Sequence, residues 1–166
     1  MENGDAGFER FYVANYRPLV RTLVPVVLDA QAAEEVTQEA FLRAYRDWAK
    51  VSAYDDPRGW LYRVAMRIAI SRWRRLRAAT AALVRYGPTP VVADVDEISL
   101  CVLTALRQLP LAQRQALVMH HMLGLPVAQI AADLEVPVGT IKARLSRGRA
   151  TLAPLLADLR EVSING

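Results

Sequence analysis

The segment VAQIAADLEVPVGTIKARLSRGR, residues 127–149, decides the fold of the C-terminal half of the chain. Apolar residues at helical spacing predict a helix of about two turns over residues 127–134. A tight turn at residues 135–136 follows, and a second helix is predicted from residue 138 to about residue 156. Its inward-facing apolar positions are Ile141, Leu145 and Leu152. A short helix, a tight turn and a longer second helix in this order predict a helix-turn-helix.

The second predicted helix leaves a polar and basic set of side chains exposed on its outer face. The set is Thr140, Lys142, Arg144, Ser146, Arg147 and Arg149. The first residues of such a helix reach base edges in the major groove of DNA, and the helix N-terminus can receive a phosphate. A helical hairpin with a solvated basic face is the alternative, but the short first helix and the tight turn favour DNA binding. We predict that Lys142 and Arg144 contact DNA in the major groove.

Charge is segregated along the N-terminal half of the chain. Residues 61–86 contain seven arginines and no acidic residue, whereas residues 31–56 contain six acidic residues. The net charge of the whole chain is only +4, so the distribution of charge is more informative than its sum. A polyanion is the natural partner of the basic block, and a basic protein surface suits the acidic block.

The N-terminal half is also predicted to be helical. Residues 8–28 predict a helix or a broken pair of helices, with Pro18 and Pro25 as interruptions. Asp29 is predicted to cap the next helix, which covers residues 30–50. The buried stripe of that helix is Ala33, Val36, Ala40, Phe41, Ala44 and Trp48. Its outer face presents Glu35, Gln38, Glu39, Arg43 and Asp47.

A third helix is predicted to start at Asp56 and Pro57, because the carboxylate caps the helix and the proline fits its first turn. It runs to about residue 77, and its core stripe is Leu61, Val64, Ala65 and Ile68. Four arginines fall within a sector roughly 80° wide at 100° per residue. They are Arg63, Arg67, Arg74 and Arg77. Because no acidic residue is interleaved with them, we interpret this stripe as a nucleic-acid contact rather than a solvated face.

The predicted fold is all-α, with two small helical domains. A glycine and two prolines interrupt the helical pattern within residues 78–97, which we interpret as a flexible linker. Short helices resume after it, and no strand-like alternation is visible. We therefore predict domains at residues 1–77 and 98–160, the second of which contains the helix-turn-helix.

Several classes of protein are disfavoured by what the sequence lacks. No apolar run approaches the ~20 residues of a membrane span, and the acidic N-terminus is unlike a signal peptide, so we expect a cytoplasmic protein. Cys101 is the only cysteine, which excludes an internal disulfide and a cysteine metal cluster and favours a small buried residue. His120 and His121 are adjacent and lie on different faces of a helix, where they make a poor metal pair. We expect no cofactor and no enzymatic activity.

Both halves of the chain resemble one protein family. Residues 106–114, LRQLPLAQR, and residues 139–149, GTIKARLSRGR, look like the C-terminal domain of extracytoplasmic-function sigma factors of the sigma-70 family. Residues 33–45, AEEVTQEAFLRAY, resemble the core-polymerase-binding helix of the same family. Residues 56–65, DPRGWLYRVA, resemble its segment that opens and reads the minus-ten promoter element.

The resemblance implies a sigma factor that binds core RNA polymerase, directs promoter-specific transcription initiation and is held silent by an anti-sigma factor. The implied polymerase contacts are Glu35, Gln38, Glu39, Arg43 and Asp47. The implied minus-ten contacts are Tyr54, Arg58, Trp60, Arg63, Arg67, Arg74 and Arg77. The exposed set of the predicted second helix would read the minus-thirty-five element. An extruded base needs a pocket with aromatic or arginine stacking partners, which Tyr54, Arg58 and Trp60 can supply. Trp60 is equally compatible with a place in the core.

The sequence departs from the family pattern at a few positions. Arg67 and Ser71 stand where the family often has asparagine and aspartate, which concerns the reading of the minus-ten element. Glu135 stands where glycine is common in the turn, so we expect a slightly strained or reshaped turn. Gln129 replaces a common acidic residue, and Ala143 replaces a common serine.

Two other functions remain compatible with parts of the sequence. A conventional helix-turn-helix regulator explains residues 127–149 but leaves the acidic helix over residues 30–50 unexplained. A helical protein-binding adaptor explains the acidic helix but not the arginine segment without acidic residues. Co-purification with core polymerase distinguishes the sigma factor from both alternatives.

Overall fold

Every element of residues 2–80 and 97–164, which the computed structural model describes, is helical. The chain divides into two compact units, Met1–Val91 and Val92–Gly166. The first contains α1 (Glu2–Val27), α2 (Ala30–Arg46), α3 (Trp48–Val51) and α4 (Pro57–Thr80). The second contains α5 (Glu97–Arg107), α6 (Leu111–His121), α7 (Val127–Leu134) and α8 (Val138–Ile164). These helices confirm the predicted all-α class.

Most of the predicted linker lies outside the described residues. Residues 81–96 are not described, and α4 continues to Thr80, so the first residues of the predicted linker are helical. The predicted burial of Cys101 also concerns a side chain outside the described part. Within that part, no helix is both long and apolar enough to cross a membrane.

Helix α1 is continuous, so the predicted interruptions at Pro18 and Pro25 are wrong. An interior proline costs about 3 kcal/mol because it removes one hydrogen bond and crowds the preceding turn. Leu19, Leu23 and Val26 are fully buried along the same stretch. Each such burial contributes about 1.5–3 kcal/mol, so packing offsets the cost of the prolines and holds the helix together.

The start of α2 confirms the predicted cap, but its end differs from the prediction. The carboxylate of Asp29 accepts a hydrogen bond from the amide of Ala32 at 2.7 Å. The helix ends at Arg46 instead of residue 50, because Asp47 leaves the helical conformation and the separate turn α3 follows. Trp48, predicted in the buried stripe of α2, therefore lies on α3 and is half-buried.

The core of the first unit is formed between α1, α2 and α4. The predicted stripe of α2 from Ala33 to Ala44 is buried, as are Leu61, Ala65 and Ile68 of α4. Val64, also predicted in the core, is only half-buried. The ring of Phe8 lies 5.0–6.3 Å from four other rings of α1, α2 and α3, so aromatic edges fill this end of the unit.

Helix α4 begins as predicted at the aspartate–proline pair. The Asp56 carboxylate accepts a hydrogen bond from the amide of Gly59 at 2.8 Å. A side chain at position 59 would collide with that carboxylate, so the glycine permits the cap. The cap fixes where α4 starts and hence where Arg58 and Trp60 lie relative to the loop before it.

The second unit packs α6, α7 and α8 around Met119, Ile130 and Ile141, all nearly or completely buried. Gly148 allows α8 to approach α6 closely, since a Cβ there would lie 2.8 Å from Leu117 Cδ1. The buried Arg114 donates a hydrogen bond to the carbonyl of Leu109 at 3.0 Å. Burial lowers the pKa of Arg114 to about 10, which still leaves it protonated at neutral pH.

The turn between α7 and α8 confirms the expected strain. Glu135 adopts the left-handed conformation with φ of 55°, which glycine would adopt at lower cost. The turn closes because the amide of Val136 donates to the carbonyl of Ala131 at 3.0 Å. Gln129 donates to the buried carboxylate of Asp133 at 2.9 Å, so this departure from the family pattern has a local partner.

Candidate nucleic-acid and polymerase interfaces

The predicted recognition helix is the N-terminal part of α8. Ile141 and Leu145 are buried, and Leu152 is half-buried. Of the six predicted DNA-contacting residues, Lys142, Ser146, Arg147 and Arg149 are exposed. Thr140 and Arg144 are half-buried, which corrects their predicted full exposure: both lie near the boundary where α8 meets the rest of the unit.

The six residues fall on two separate faces of α8. At 100° per residue, Lys142, Ser146 and Arg149 lie within a sector of about 60°. The other three, Thr140, Arg144 and Arg147, lie within another sector of about 60° on the far side of the helix axis. The two sets therefore point in different directions from the axis of α8.

A cavity of about 390 Å³ lies beside the first of these faces. It is lined by His120, Val127, Lys142, Leu145, Ser146 and Arg149. His120 comes from the end of α6 and Val127 from the start of α7, so the packing of three helices creates the site. The adjacency of the two histidines was visible in the sequence, but nothing there indicated that they lie next to α8.

The His121 ring interacts directly with Arg149. Nε and a terminal nitrogen of the guanidinium both lie 3.4 Å from Nε2 of His121. Partial burial lowers the pKa of His121, and the charges of Arg149 and His120 lower it further. The Nδ1 atom of His120 lies 2.9 Å from the carbonyl oxygen of Leu125. At neutral pH, His121 is therefore mainly an uncharged acceptor beside a fixed cation.

The first unit brings two of the predicted minus-ten residues together. The rings of Tyr54 and Trp60 have centroids 6.2 Å apart and are tilted by 42°, and both residues are half-buried. The Arg58 guanidinium lies 5.2 Å from the ring centroid of Tyr62. Tyr62 was not predicted as a site residue. The sequence did offer a signal, because Tyr62 follows Arg58 by four positions and the two residues therefore lie on one face of the helix.

The arginine stripe of α4 is present where its side chains are described. Arg67 and Arg74 are exposed and Arg63 is half-buried, while the side chain of Arg77 lies outside the described part. Ser71, the other departure from the family pattern, is exposed next to the stripe. These positions present cationic side chains to solvent along one side of the helix.

A different arginine of α4 faces the acidic helix. Arg72 makes ion pairs with Glu35 at 3.1 Å and with Glu39 at 2.8 Å. Glu39 also pairs with Arg43 at 2.6 Å. Burial would raise the pKa of Glu39, but the hydrogen bonds and charges of Arg72 and Arg43 outweigh it and lower the pKa. The predicted acidic face is therefore partly neutralised from within the unit, which was not predicted from the sequence.

The outer face of α2 also carries exposed apolar side chains that were not predicted as site residues. Leu42 is 59% exposed and Tyr45 is 53% exposed. With Gln38 they follow the spacing of one helical stripe, which was the signal available in the sequence. Glu35, Arg43 and Asp47 are exposed around this stripe, and Glu39 is half-buried. A mixed polar and apolar surface of this kind is typical of protein contacts.

Comparison with known proteins assigns both units to one class. Residues 11–79 match the family description "Sigma-70 region 2", and residues 99–152 match "Sigma-70, region 4". The chain thus has the two-part architecture of a sigma-70-type transcription initiation factor. It is 32% identical to the extracytoplasmic-function (ECF) sigma factor SigM of Mycobacterium tuberculosis over 153 residues, covering 92% of this chain and 78% of SigM.

Other relatives agree with this assignment. SigW of Bacillus subtilis is 34% identical, with 76% of each chain covered. The sigma-E factor of Escherichia coli is 27% identical, with 92% of this chain and 88% of the relative covered. The chain therefore belongs to the ECF sigma factor family, and as a sigma factor it directs RNA polymerase to promoters. This membership decides against the conventional regulator and the adaptor.

A solved structure shows the same fold. The sigma factor RpoE of Bartonella quintana, in complex with the anti-sigma factor NepR, matches with a TM-score of 0.68 and 21% identity. The match covers 91% of this chain and 97% of that chain.

Proposed function

We propose that residues 1–77 bind core RNA polymerase and open the minus-ten element, and that residues 98–160 read the minus-thirty-five element. This assignment of functions to the two parts of the chain rests mainly on the helix-turn-helix of α7 and α8, whose second helix exposes cations on two faces. The protein acts by positioning polymerase in the cytoplasm and performs no chemistry of its own.

Arg144 is the proposed base-reading residue of α8. It lies about one and two-thirds turns from the start of the helix, on the same face as Thr140 and Arg147. Arg144 is half-buried, which limits the freedom of its side chain, and a restricted guanidinium suits the paired acceptors of guanine in the major groove. Arg147, exposed on the same face, would contact the same region of the DNA.

Tyr54 and Trp60 are the proposed stacking partners of an extruded minus-ten base. Their tilted rings flank the start of α4, and half-burial leaves part of each ring available. Stacking of a base on an aromatic side chain contributes about 1–3 kcal/mol, comparable with the cost of unstacking that base. Arg58 and the arginines of α4 would hold the neighbouring phosphates.

The outer face of α2 is the proposed polymerase contact. Leu42 and Tyr45 would supply the apolar centre and Glu35, Gln38 and Asp47 the polar rim. Arg72 would then compete with a basic polymerase surface for the same carboxylates. We therefore expect that binding of core polymerase weakens the ion pairs of Arg72 with Glu35 and Glu39, because these carboxylates are already paired in the free chain.

An anti-sigma factor is the proposed regulator. RpoE of Bartonella quintana, which has the same fold, was solved in complex with one. In this chain the exposed Leu42 and Tyr45 give such a partner an apolar surface that overlaps the proposed polymerase contact. Competition between the two partners is tested by asking whether the anti-sigma factor displaces this chain from core polymerase, and whether the double variant L42E/Y45E weakens both complexes.

Transcription in vitro tests the proposal as a whole. Core polymerase and the full chain are supplied with a library of promoter fragments from the same genome. Start sites that require the chain and share two spaced upstream elements support the proposal. Binding to DNA without polymerase-dependent initiation, in a preparation free of bound inhibitor, would contradict it.

A further inference from the structure

The outer side of α1 carries a line of arginines that belongs to neither proposed interface of the first unit. Arg10, Arg17 and Arg21 are exposed, and at 100° per residue they lie within a sector of about 40°. This arginine line is on the opposite side of the helix from Leu19 and Leu23, which are buried in the core. At 1.5 Å per residue it is about 16 Å long. The helix thus presents three positive charges along one straight surface.

No acidic residue of α1 is placed to neutralise the arginine line within the helix. The residues three and four positions away from each of its members are alanine, glycine, valine, proline or another arginine. Arg17 and Arg21 are themselves four positions apart, so their charges repel each other. The described ion pairs of the unit instead join Arg43 and Arg72 to carboxylates. The arginine line is therefore left for an anion from outside the unit.

Apolar side chains run beside the arginine line. Val13, Val20 and Val24 lie within a second sector of about 40° that adjoins the first. Val13 is 73% exposed, the largest exposed fraction among the described large apolar side chains, and Val20 and Val24 are half-buried. An apolar strip next to charges of one sign is a mixed surface of the kind that contacts another protein.

This mixed surface selects the chemistry of its partner. A nucleic-acid backbone could meet the arginines, but its phosphates offer the valines no apolar contact. An acidic amphipathic helix offers carboxylates to the arginines and apolar side chains to the valines. Because every α-helix rises 1.5 Å per residue, carboxylates spaced by seven and four residues lie opposite all three arginines.

We propose that the outer side of α1 binds an acidic amphipathic helix of a protein partner, through ion pairs with Arg10, Arg17 and Arg21 and apolar cover over Val13. Phe8, whose ring lies 5.0 Å from that of Tyr45, is on the opposite side of α1 from the arginine line. The surface is therefore separate from the exposed face of α2, and the inference goes beyond the proposed contacts with polymerase and an anti-sigma factor.

Designed peptides test the inference with the free full chain. Two helical peptides of about 21 residues carry three glutamates, spaced seven then four or four then seven, with leucines beside them. Fluorescence anisotropy measures their affinity. We expect one of them to bind, with affinity reduced about two- to fivefold by R17Q and about tenfold by R10Q/R17Q/R21Q. If neither peptide binds the wild-type chain, the inference is overturned.

The matched control is R46Q/R75Q/R107Q, which removes the same charge from three exposed arginines elsewhere in the chain. It should weaken peptide binding by less than about twofold, because distant exposed charges are screened by salt. Equal losses in the two triple variants would show general attraction between opposite charges and overturn the inference. L42Q/Y45Q should bind the peptide like the wild type, and a loss there would place the peptide on α2 instead.

Charge reversal supplies a readout that a folding defect cannot imitate. R10E/R17E/R21E should reject the glutamate peptide and bind its lysine counterpart, because the signs of all three proposed pairs are exchanged. Rejection of both peptides by this variant, with a circular dichroism spectrum equal to that of the wild type, would contradict pairing along the arginine line.

Two competitors distinguish an acidic helix from other polyanions. A shuffled peptide of the same composition should bind at least about tenfold more weakly, because it cannot align carboxylates and leucines on one helix face. An equally tight shuffled peptide overturns the inference. A single-stranded oligonucleotide whose binding depends on the arginine line more strongly than that of the peptide would make this surface a nucleic-acid site instead.

These measurements use the chain without polymerase, so their outcome is independent of the proposed function. A chain that directs initiation at promoters but binds neither peptide overturns this inference alone. A chain that binds a peptide through the arginine line but directs no initiation overturns the proposed function alone.

Discussion

The arginines of α4 and α8 differ in what they contact, although both helices are basic. Arg72 of α4 is held by Glu35 and Glu39 of the acidic helix. Arg149 of α8 contacts a neutral histidine beside a cavity without acidic lining among the described residues. Arg72 therefore mainly links α4 to α2, whereas Arg149 is available to bind a polyanion. The count of arginines in a segment therefore overstates its nucleic-acid surface.

The largest effect is expected from removing the scaffold beneath the α8 charges. Ile141 is fully buried, so I141A should lower the free energy of unfolding of the second unit by about 2–5 kcal/mol and abolish promoter recognition with every surface cation unchanged. Circular dichroism follows both units, whereas tryptophan fluorescence follows the first alone, because Trp48, Trp60 and Trp73 all belong to it.

The matched control is L42A in the first unit. Leu42 is 59% exposed, so its removal should change the unfolding free energy by less than about 0.5 kcal/mol. An equally large loss of stability in L42A, or a displaced tryptophan transition in I141A, would contradict the separate description of the two units.

A smaller effect is expected from R144A, which leaves the scaffold intact. If Arg144 reads a base, the loss of its paired hydrogen bonds should cost roughly 1–3 kcal/mol of promoter binding and relax the preference at one position. Holoenzyme binding to promoters that vary at single positions provides the measurement. If R144A binds all of these promoters with unchanged affinity, Arg144 does not read a base. R107A, an exposed arginine at the end of α5, is the control.

Replacing Arg72, the arginine of α4 that is paired with carboxylates, should strengthen binding to core polymerase, whereas R144A should weaken binding to the promoter. R72Q frees Glu35 and leaves Glu39 paired with Arg43 alone, so both carboxylates become more available to a basic partner. We therefore expect affinity for core polymerase to rise about two- to fivefold, equivalent to less than ~1 kcal/mol. R75Q is the matched control, since Arg75 is exposed and donates only to the carbonyl of Ser71 among its described hydrogen bonds. Weaker binding by R72Q would mean that Arg72 orders the interface instead of competing for it.

The smallest expected effect is on the pH dependence of stability. Because the folded-state pKa of Glu39 is lowered, its stabilising contribution is present above the usual glutamate range and is lost as pH falls through the lowered value. R72Q should reduce the difference in unfolding free energy between about pH 7 and about pH 3 by less than ~1 kcal/mol, since both partners are partly exposed. Tryptophan fluorescence during urea unfolding measures this difference. Identical pH dependence in the two chains would exclude the ion pair as its source.

The features predicted correctly from the sequence are those that depend on neighbouring residues. The caps at Asp29 and Asp56 each use an amide three positions away, and the turn at Glu135 is closed within a few residues. These local rules also placed the helix-turn-helix. The resemblance to a family then added the functional class, which the local patterns alone left open between three alternatives.

The features that were missed depend on tertiary packing. The continuity of α1 through Pro18 and Pro25 follows from burial that only the folded unit provides. Arg72 pairs with Glu35 across 37 residues of sequence, a contact that helical spacing cannot reveal. The cavity beside α8 requires three helices to meet. In each case the deciding partner is distant in the chain.

Transcription in vitro with core polymerase and the wild-type chain, compared with R144A, tests most directly whether α8 is the promoter-reading helix. We expect start sites that depend on the chain, share two spaced upstream elements and lose selectivity at the upstream element in R144A. Promoter DNA binding without polymerase-dependent initiation, or initiation at the same sites without the chain, would contradict the assignment of α8 as the promoter-reading helix of a sigma factor.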